Sequence, residues 1–301
     1  MRFPLKSEFE SHFSRIAAVS LPTVRDMAKR HAQPFKDLQV LNLKVSVNTA
    51  SFNLPLKSAL MTAAETGACA VEIDARQQLN AQELSRTGVR QILKWLSDHR
   101  LKVACLRFQP RHALADNQNL QQRIDAIKST LKTAYQLGCS TVCCDIGPIP
   151  QPESDQANQL RDVLLDIANA AHREGAFLAA RTGRAAPQQL ADLIQELPHG
   201  TLLVDMDPGN LVIHEHEVET ALKRLSSSAV HLHARDAVRD FASRQTVEVE
   251  LGRGSVDWPA VFAHLEQEQF QGYTTVGRVG SPDPLLEATM AVQYLQNLFA
   301  L

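Results

Sequence analysis

The chain has 301 residues, and its 31 basic and 33 acidic side chains give a formal net charge of −2. With 44% hydrophobic and 21% charged residues, its composition is that of an ordinary globular protein. A nearly neutral chain is poorly suited to grip a phosphate backbone, and no apolar run approaches the roughly 18–20 residues that span a bilayer. The N-terminus also lacks the apolar stretch of a secretory signal. We therefore expect no nucleic-acid partner, no membrane contact and a cytoplasmic location.

The first segment of the chain precedes all predicted strands. Residues 20–31 have a helical pattern, and we expect residues 1–39 to form an N-terminal helical extension. This extension is predicted to cover the bottom or the flank of a second unit, the domain formed by residues 40–301.

From about residue 40 onward one repeat dominates, in which a short apolar run is followed by a polar loop and an amphipathic helix. The runs are rich in Val, Ala, Ile and Leu, as expected for strands that are buried on both faces. The predicted strands are Leu41–Val47, Cys69–Ala75, Lys102–Phe108, Thr141–Gly147, Ala176–Arg181, Thr201–Asp207, Ala229–Arg235 and Gly272–Arg278. Eight such units predict an α/β protein, a single (β/α)8 TIM barrel. A doubly wound sheet is the alternative, but no G-x-G-x-x-G follows the first strand.

The five cysteines show no C-x-x-C pair, and their spacing matches no known metal-ligand pattern. A zinc or redox site is therefore disfavoured. Four of them lie in or beside apolar runs, and we interpret the set as buried, reduced thiols, which are typical of a cytoplasmic protein. They are Cys69, Cys105, Cys139, Cys143 and Cys144.

Polar residues are concentrated where the predicted strands end, which is the end of a barrel that binds ligands. Charges on buried strands are costly unless they are paired or functional. Arginines at these ends favour a phosphate or carboxylate ligand, because a guanidinium binds such groups bidentately. They are Arg107, Arg181, Arg235, Arg239 and Arg253. A small anionic ligand is thus the preferred interpretation, and structural ion pairing around the barrel mouth is the alternative.

Two acidic residues extend this set. Glu72 lies in the second predicted strand and Asp145 at the end of the fourth. Either could act as a substitute metal ligand or base, but pairing with Arg107 or Arg181 is favoured.

Four segments in chain order carry a resemblance. Ala-Ala-Arg-Thr-Gly follows the fifth strand, Asp-Pro-Gly-Asn-Leu the sixth and His-Leu-His-Ala-Arg-Asp the seventh, and Leu-Gly-Arg-Gly-Ser-Val-Asp-Trp precedes a helix. Together they resemble the xylose isomerase-like barrels, the sugar phosphate isomerase/epimerase family, over about residues 40–300. The resemblance implies a sugar or sugar phosphate as the small-molecule partner, and it leaves formation of a homo-oligomer open.

The resemblance also implies a metal site. Family members typically hold one divalent ion through a Glu after strand five, an Asp after strand six, a His in strand seven and a Glu after strand eight. The Asp position matches Asp207, the His position matches His233, and a substrate-binding arginine six residues past that His matches Arg239. The two Glu positions are occupied by Arg181 and Gly277.

Both substitutions oppose metal binding. Asp207 and His233 offer two donors, whereas catalytic metal sites commonly use about three or more protein ligands. At an effective dielectric of about 20, a guanidinium about 4 Å from a dication is disfavoured by several kcal/mol. We therefore expect no cofactor, with Arg181 lying near Asp207 in place of the ion. Any cofactor that did bind would be divalent Mn, Mg, Co or Zn.

These residues lead to three hypotheses. The first is a diverged, metal-free family member that binds a small anionic sugar-like ligand through Arg181, Arg239, Arg107, Glu72 and Asp145, with Asp207 and His233 as remnant catalytic positions. The second is an active isomerase or epimerase with an altered metal site that recruits Glu72, Asp145, Glu248 or Glu250. The third is a metal-free lyase that uses Arg181 and His233 on a carboxylated substrate. An abasic-site endonuclease is disfavoured, because such enzymes use more His and Glu ligands and a basic DNA-facing surface.

Three further expectations concern the surroundings of the site. His231 and Asp205 each lie two positions before a site residue, so they share its face, and we expect hydrogen-bonded roles in the barrel core. Trp258 and Phe262 are predicted on the inner face of the following helix. Residues 236–256 could form a lid over the barrel mouth or a flexible, solvated loop.

Overall fold

The computed structural model describes residues 43–240 and 245–298. Within these ranges eight parallel strands close into a barrel with the order β1-β10-β7-β6-β5-β4-β3-β2. The barrel strands are β1 (Lys44–Asn48), β2 (Ala70–Asp74), β3 (Lys102–Phe108), β4 (Thr141–Cys144), β5 (Phe177–Arg181), β6 (Leu203–Met206), β7 (Ala229–His233) and β10 (Tyr273–Val276). The predicted (β/α)8 barrel is confirmed. The predicted extension over residues 1–39 lies outside the described residues, so the boundary at residue 40 stays a prediction.

Helices connect the strands and bury one apolar face each. They are α1 (Leu56–Glu65), α2 (Arg86–Asp98), α3 (Leu120–Gln136), α4 (Asp155–Glu174), α5 (Pro187–Glu196), α6 (Pro208–Ile213), α7 (Val218–Leu225), α8 (Trp258–Gln267) and α9 (Pro284–Leu298). In α3, Ile124, Ile127 and Leu131 are buried, as their three- and four-residue spacing predicts. No helix in the described part of the chain is long and apolar enough to span a bilayer.

Each predicted apolar run overlaps one observed barrel strand, and most of the strands are shorter than predicted. The fourth run was predicted to continue to Gly147, but β4 ends at Cys144. Here the Asp145 carboxylate accepts a hydrogen bond from the Gly147 backbone N–H at 2.8 Å, and Gly147 has a φ of +85°. The chain therefore turns immediately after the strand, because a side chain caps the backbone that would otherwise extend it.

The segment between β7 and α8 contains an antiparallel hairpin that the sequence did not indicate. Its strands are β8 (Asp236–Asp240) and β9 (Gln245–Val249). The hairpin is anchored by the buried Asp236 carboxylate, which accepts hydrogen bonds from the backbone N–H groups of Gly252 at 3.0 Å and Val256 at 3.2 Å. The same carboxylate accepts one from the Trp258 indole at 3.1 Å. One buried acid thus ties the base of the hairpin to the barrel.

The cysteines differ from expectation at one position. All five are free, and four are buried: Cys105, Cys139, Cys143 and Cys144. Cys69 is exposed, because it lies one residue ahead of β2, where the run leaves the packed part of the barrel. The buried positions of Trp258 and Phe262 on α8 match the prediction.

Candidate functional site

A cavity of about 560 Å³ opens at the carboxyl ends of the barrel strands. Six strands supply one lining residue each, at or next to their carboxyl ends: Asn48, Asp74, Arg107, Arg181, His233 and Gly277. A larger cavity of about 960 Å³ lies at the amino ends of the strands, where it is lined by their first residues. Because barrels of this type bind ligands at the carboxyl ends, the smaller cavity is the candidate site.

Arg181 lies at the centre of the site and is only 8% exposed. Its Nε donates to Asp205 Oδ2 at 2.7 Å, and its Nη2 lies 3.5 Å from Glu72 Oε2. Asp207 Oδ2 is 3.9 Å from Nε, so the expected position of Arg181 near Asp207 holds, although Asp205 is the nearer partner. Burial opposes the charge on Arg181, but the three carboxylates outweigh that effect and hold its pKa well above its usual value. Arg181 is therefore a fixed internal cation.

The protonation of His233 follows from its contact with Arg181. Arg181 Nη2 lies 2.8 Å from His233 Nδ1, and a guanidinium can only donate, so Nδ1 accepts. Burial, together with the positive charges of Arg181 and Arg235, holds the pKa of His233 well below its usual value. A neutral imidazole that accepts at Nδ1 carries its proton on Nε2. Among the described residues this buried Nε2 has no hydrogen-bond partner, so His233 offers an unused donor.

This assignment predicts a pH dependence of stability. Because the pKa of His233 is lower in the folded state than in the unfolded state, its contribution is present above about pH 6.5 and is lost as the pH falls below that value. Between pH 6.5 and 5.5, the free energy of unfolding should fall by about 1 kcal/mol more in the wild type than in His233→Gln. Urea denaturation at each pH measures this difference. The exposed-site variant His172→Gln should keep the wild-type dependence, and an identical dependence in His233→Gln would contradict the assignment.

Asp207 is bound on both carboxylate oxygens. Its Oδ1 accepts from the Asn210 backbone N–H at 2.9 Å and thereby caps α6, and its Oδ2 accepts from Arg235 Nη1 at 3.1 Å. Arg235 in turn donates to Glu248 through Nε at 2.9 Å and Nη2 at 2.5 Å. Burial raises the pKa of Asp207 despite the two neighbouring arginines. Asp207 and Glu248 are therefore held in ion pairs with positioned guanidinium groups.

Arg107, unlike Arg181 and Arg235, lines the cavity without a protein partner in the described part of the chain. Among these residues its side chain has neither a hydrogen-bond nor an ion-pair partner. Its Nε is buried and unsatisfied. A guanidinium in this state is a ready partner for an anionic ligand, because a buried donor without an acceptor is costly.

Three further residues that the sequence singled out, Glu72, Asp145 and His231, do not line the cavity. Glu72 is fully buried behind Arg181, and its Oε2 accepts from Cys105 Sγ at 3.4 Å. Asp145 lies 3.7 Å from Arg184 rather than pairing with Arg107 or Arg181. His231 Nδ1 donates to Asp205 Oδ1 at 2.7 Å, in the barrel-core role that its spacing predicted.

Arg239 lies apart from the site. It is 58% exposed on β8, its Nη2 is 3.5 Å from Glu215, and it does not line the cavity. The hairpin places Arg239 outside the cavity lining, and the ligand contact that the resemblance implied for it stays a prediction. Arg235 and Glu248 line the cavity instead. The sequence offered Glu248 only as a recruit of an altered metal site, not as the ion-pair partner of Arg235.

Gly277 occupies the second position at which the resemblance implies a carboxylate. Its φ is +124°, a backbone conformation that side chains rarely adopt. A Cβ placed there would lie 3.0 Å from Ser51 Oγ and 3.3 Å from Asn48 Cβ. A carboxylate at this position would therefore need a different local backbone.

A comparison with protein families supports the resemblance that the sequence indicated. The sequence model of the xylose isomerase-like TIM barrel family matches residues 60–298. The chain belongs to this family. A search of curated proteins found no significant match.

Solved structures of this family share the fold. A xylose isomerase domain protein from Planctomyces limnophilus is 19% identical, with a TM-score of 0.76 over 86% of this chain and 96% of that one. D-psicose 3-epimerase from Clostridium cellulolyticum, solved with D-tagatose, is 14% identical, with a TM-score of 0.70 over 85% and 99%. A xylose isomerase-like barrel from Mycobacterium smegmatis, solved with magnesium, is 15% identical, with a TM-score of 0.68 over 88% and 98%. At these identities the likeness establishes the fold alone.

Proposed function

We propose that this xylose isomerase-like barrel binds a small anionic sugar-like ligand, such as a sugar phosphate, in the carboxyl-end cavity without a divalent metal. The observation that carries the proposal is the pair of unused donors in the cavity lining, the Arg107 guanidinium and the His233 Nε2–H. The cavity volume of about 560 Å³ lies in the range of small-molecule sites. The five free thiols support action in a reducing compartment, the cytoplasm.

The donor set supports the metal-free part of the proposal. The Arg181 guanidinium lies within 3.9 Å of Glu72, Asp205 and Asp207 and also occupies His233 Nδ1. A hard dication needs several oxygen ligands and charge neutralisation, and here those charges already neutralise a guanidinium. These residues do not fit a hard divalent ion while Arg181 holds this position.

Each lining group has a distinct part in binding. Arg107 is free to bind a phosphate or carboxylate through two parallel N–H groups. His233 Nε2–H donates to a hydroxyl or carbonyl oxygen of the same ligand, and Arg181 fixes the tautomer that makes this possible. One structural neighbour, the D-psicose 3-epimerase, was solved with the sugar D-tagatose.

The carboxylates of the site favour binding over isomerisation. Isomerisation needs a base within reach of a C–H proton. Both acids that line the cavity are held in place. Glu248 is paired with Arg235, and Asp74 accepts through one oxygen, Oδ1, from the backbone N–H groups of Arg76 and Gln77 at 2.9 and 2.8 Å. For an altered metal site, the carboxylates that replace the missing ligands would first have to leave their present partners. For a lyase, Arg181 would have to bind the substrate with N–H groups that already contact Asp205 and His233.

Titration calorimetry with fructose 6-phosphate and ribose 5-phosphate, compared with fructose and ribose, tests the proposal. At least one phosphate should bind, its neutral counterpart should bind much more weakly, and EDTA, Mn²⁺ and Mg²⁺ should leave the affinity unchanged. Arg107→Gln should weaken binding by about 10- to 100-fold, because a hydrogen bond to a charged group contributes about 1.5–3 kcal/mol. Arg161→Gln, which removes a surface arginine paired with Glu196, is the matched control and should bind as the wild type does.

Two results would contradict the proposal. Equal affinity for phosphorylated and neutral sugars would refute the proposed anion-binding role of Arg107. Binding that disappears in EDTA and returns with Mn²⁺ would favour the altered metal site instead.

A further inference from the structure

A cluster of sulfur and nitrogen ligands lies one layer deeper in the barrel than the cavity. Cys105 on β3, Cys143 on β4 and His231 on β7 each lie two residues before a carboxyl-end residue, so they share its inward-facing side. All three are fully buried. One ligand atom from each lies within 4.8 Å of the other two. Neither the proposed ligand site nor any ion pair described above uses the two thiols.

The spacing of the cluster fits three ligands of a soft metal ion. Zn–S bonds of about 2.3 Å and Zn–N bonds of about 2.0–2.1 Å place a sulfur and a nitrogen ligand about 3.5 Å apart. The Cys105 Sγ to His231 Nε2 distance is 3.5 Å. This pair can therefore share one ion at its present spacing, and the ligand atom of Cys143 lies within 4.8 Å of both.

The histidine is oriented by a carboxylate. His231 Nδ1 donates to Asp205 Oδ1 at 2.7 Å. The other ring nitrogen, Nε2, lies 3.5 Å from Cys105 Sγ and 2.7 Å from Thr275 Oγ1, a hydrogen bond that an ion on Nε2 would replace. Metal-bound histidines characteristically donate their second nitrogen to such a carboxylate. Glu72 Oε2 lies beside the cluster, 3.4 Å from Cys105 Sγ, but it is paired with Arg181 Nη2 at 3.5 Å, so the three side chains are the protein ligands of the site.

The charges also balance. Two thiolates and one dication sum to zero, so a neutral histidine and a bound ion would add no net charge to the barrel interior.

We propose that Cys105, Cys143 and His231 form a buried structural site for one thiophilic dication, Zn²⁺. This site is distinct from the Asp207 and His233 positions beside Arg181. Because its ligands are inaccessible in the folded chain, the ion enters during folding and stabilises the barrel from inside. The ligands come from three separate strands, which is why their linear spacing matched no zinc pattern.

Metal analysis of the untagged full-length protein, produced with zinc in the medium and dialysed against EDTA in the native state, tests the proposal. The wild type should hold about one zinc per chain, and Cys105→Ser and Cys143→Ser should hold less than about one-tenth of that. Cys144→Ser changes a buried thiol outside the cluster and should keep the zinc, as should Asp207→Asn. Wild-type protein without zinc would overturn the proposal.

A second measurement does not depend on the folding of the variants. Wild-type protein refolded from denaturant with Co²⁺ should show thiolate-to-cobalt charge-transfer absorption, and its absence would overturn the proposal. If Asp207→Asn loses the zinc while Cys105→Ser retains it, the ion occupies the family position. That result would refute both this proposal and the proposed metal-free function. Zinc that is lost in Cys105→Ser but kept in Asp207→Asn would leave the proposed function intact.

Discussion

Arg181→Met should lower the free energy of unfolding by about 3–5 kcal/mol, the range for breaking a buried ion pair by removing one partner. Glu72, Asp205 and Asp207 are fully buried and lie within 3.9 Å of the guanidinium. Removing the cation leaves three carboxylates close together in a medium that solvates charge poorly. Urea denaturation at pH 7 measures the loss.

Two comparisons isolate the electrostatic cause of this loss. Arg161→Met removes a partly exposed arginine whose partner, Glu196, is 49% exposed, and it should cost no more than about 1 kcal/mol. The double variant Arg181→Met with Asp205→Asn should lose less than the sum of the two single variants, because neutralising Asp205 removes one uncompensated charge. A cost for Arg181→Met as small as that of Arg161→Met would refute a buried internal cation.

Asp236→Asn should lower the free energy of unfolding by a similar amount, about 3–5 kcal/mol. The carboxylate accepts from three backbone N–H groups and the Trp258 indole at 3.0–3.2 Å, so both oxygens face donors. An amide turns one acceptor into a donor that opposes two N–H groups, and each hydrogen bond to a charged group contributes about 1.5–3 kcal/mol. Urea denaturation and limited proteolysis of the β8–β9 hairpin measure the effect.

Asp257→Asn is the matched control for this substitution. Asp257 is an N-cap whose Oδ1 accepts only from the Ala260 N–H, at 3.1 Å, and asparagine caps helices about as well as aspartate does. It should therefore change stability very little. If Asp236→Asn unfolds at the same urea concentration as Asp257→Asn, the carboxylate does not anchor the hairpin.

A fixed guanidinium and an exchangeable ion differ in what they allow a site to do. On the proposed function, Arg181 supplies the positive charge that holds the buried acids together and orients His233, but it supplies no open coordination position for a substrate oxygen. Ligand binding then depends on Arg107 and on His233 Nε2. The affinity for an anion is set by these side chains rather than by the concentration of a metal.

The sequence by itself determined the architecture and much of the inward-facing set. Strand and helix periods are local properties, so eight strand–helix units could be counted and closed into a barrel without coordinates. The period of two along a strand also placed His231 with His233 on one inward-facing side, and the hydrogen-bonded role of Asp205 and His231 followed from it.

Only the tertiary structure decided which side chains meet. The β6–β7 register shifts between Val204 and Asp205, and Arg181 pairs across β5–β6 with Asp205, so Asp205 rather than Asp207 became its nearest partner. The hairpin carried Arg239 away from the cavity, and barrel closure brought Cys105, Cys143 and His231 together from three strands. The choice of partner depends on differences of about 1 Å in the distances between side chains that are far apart along the chain. The energies of hydrogen bonds and ion pairs change steeply over such differences. A linear sequence pattern contains no such distances.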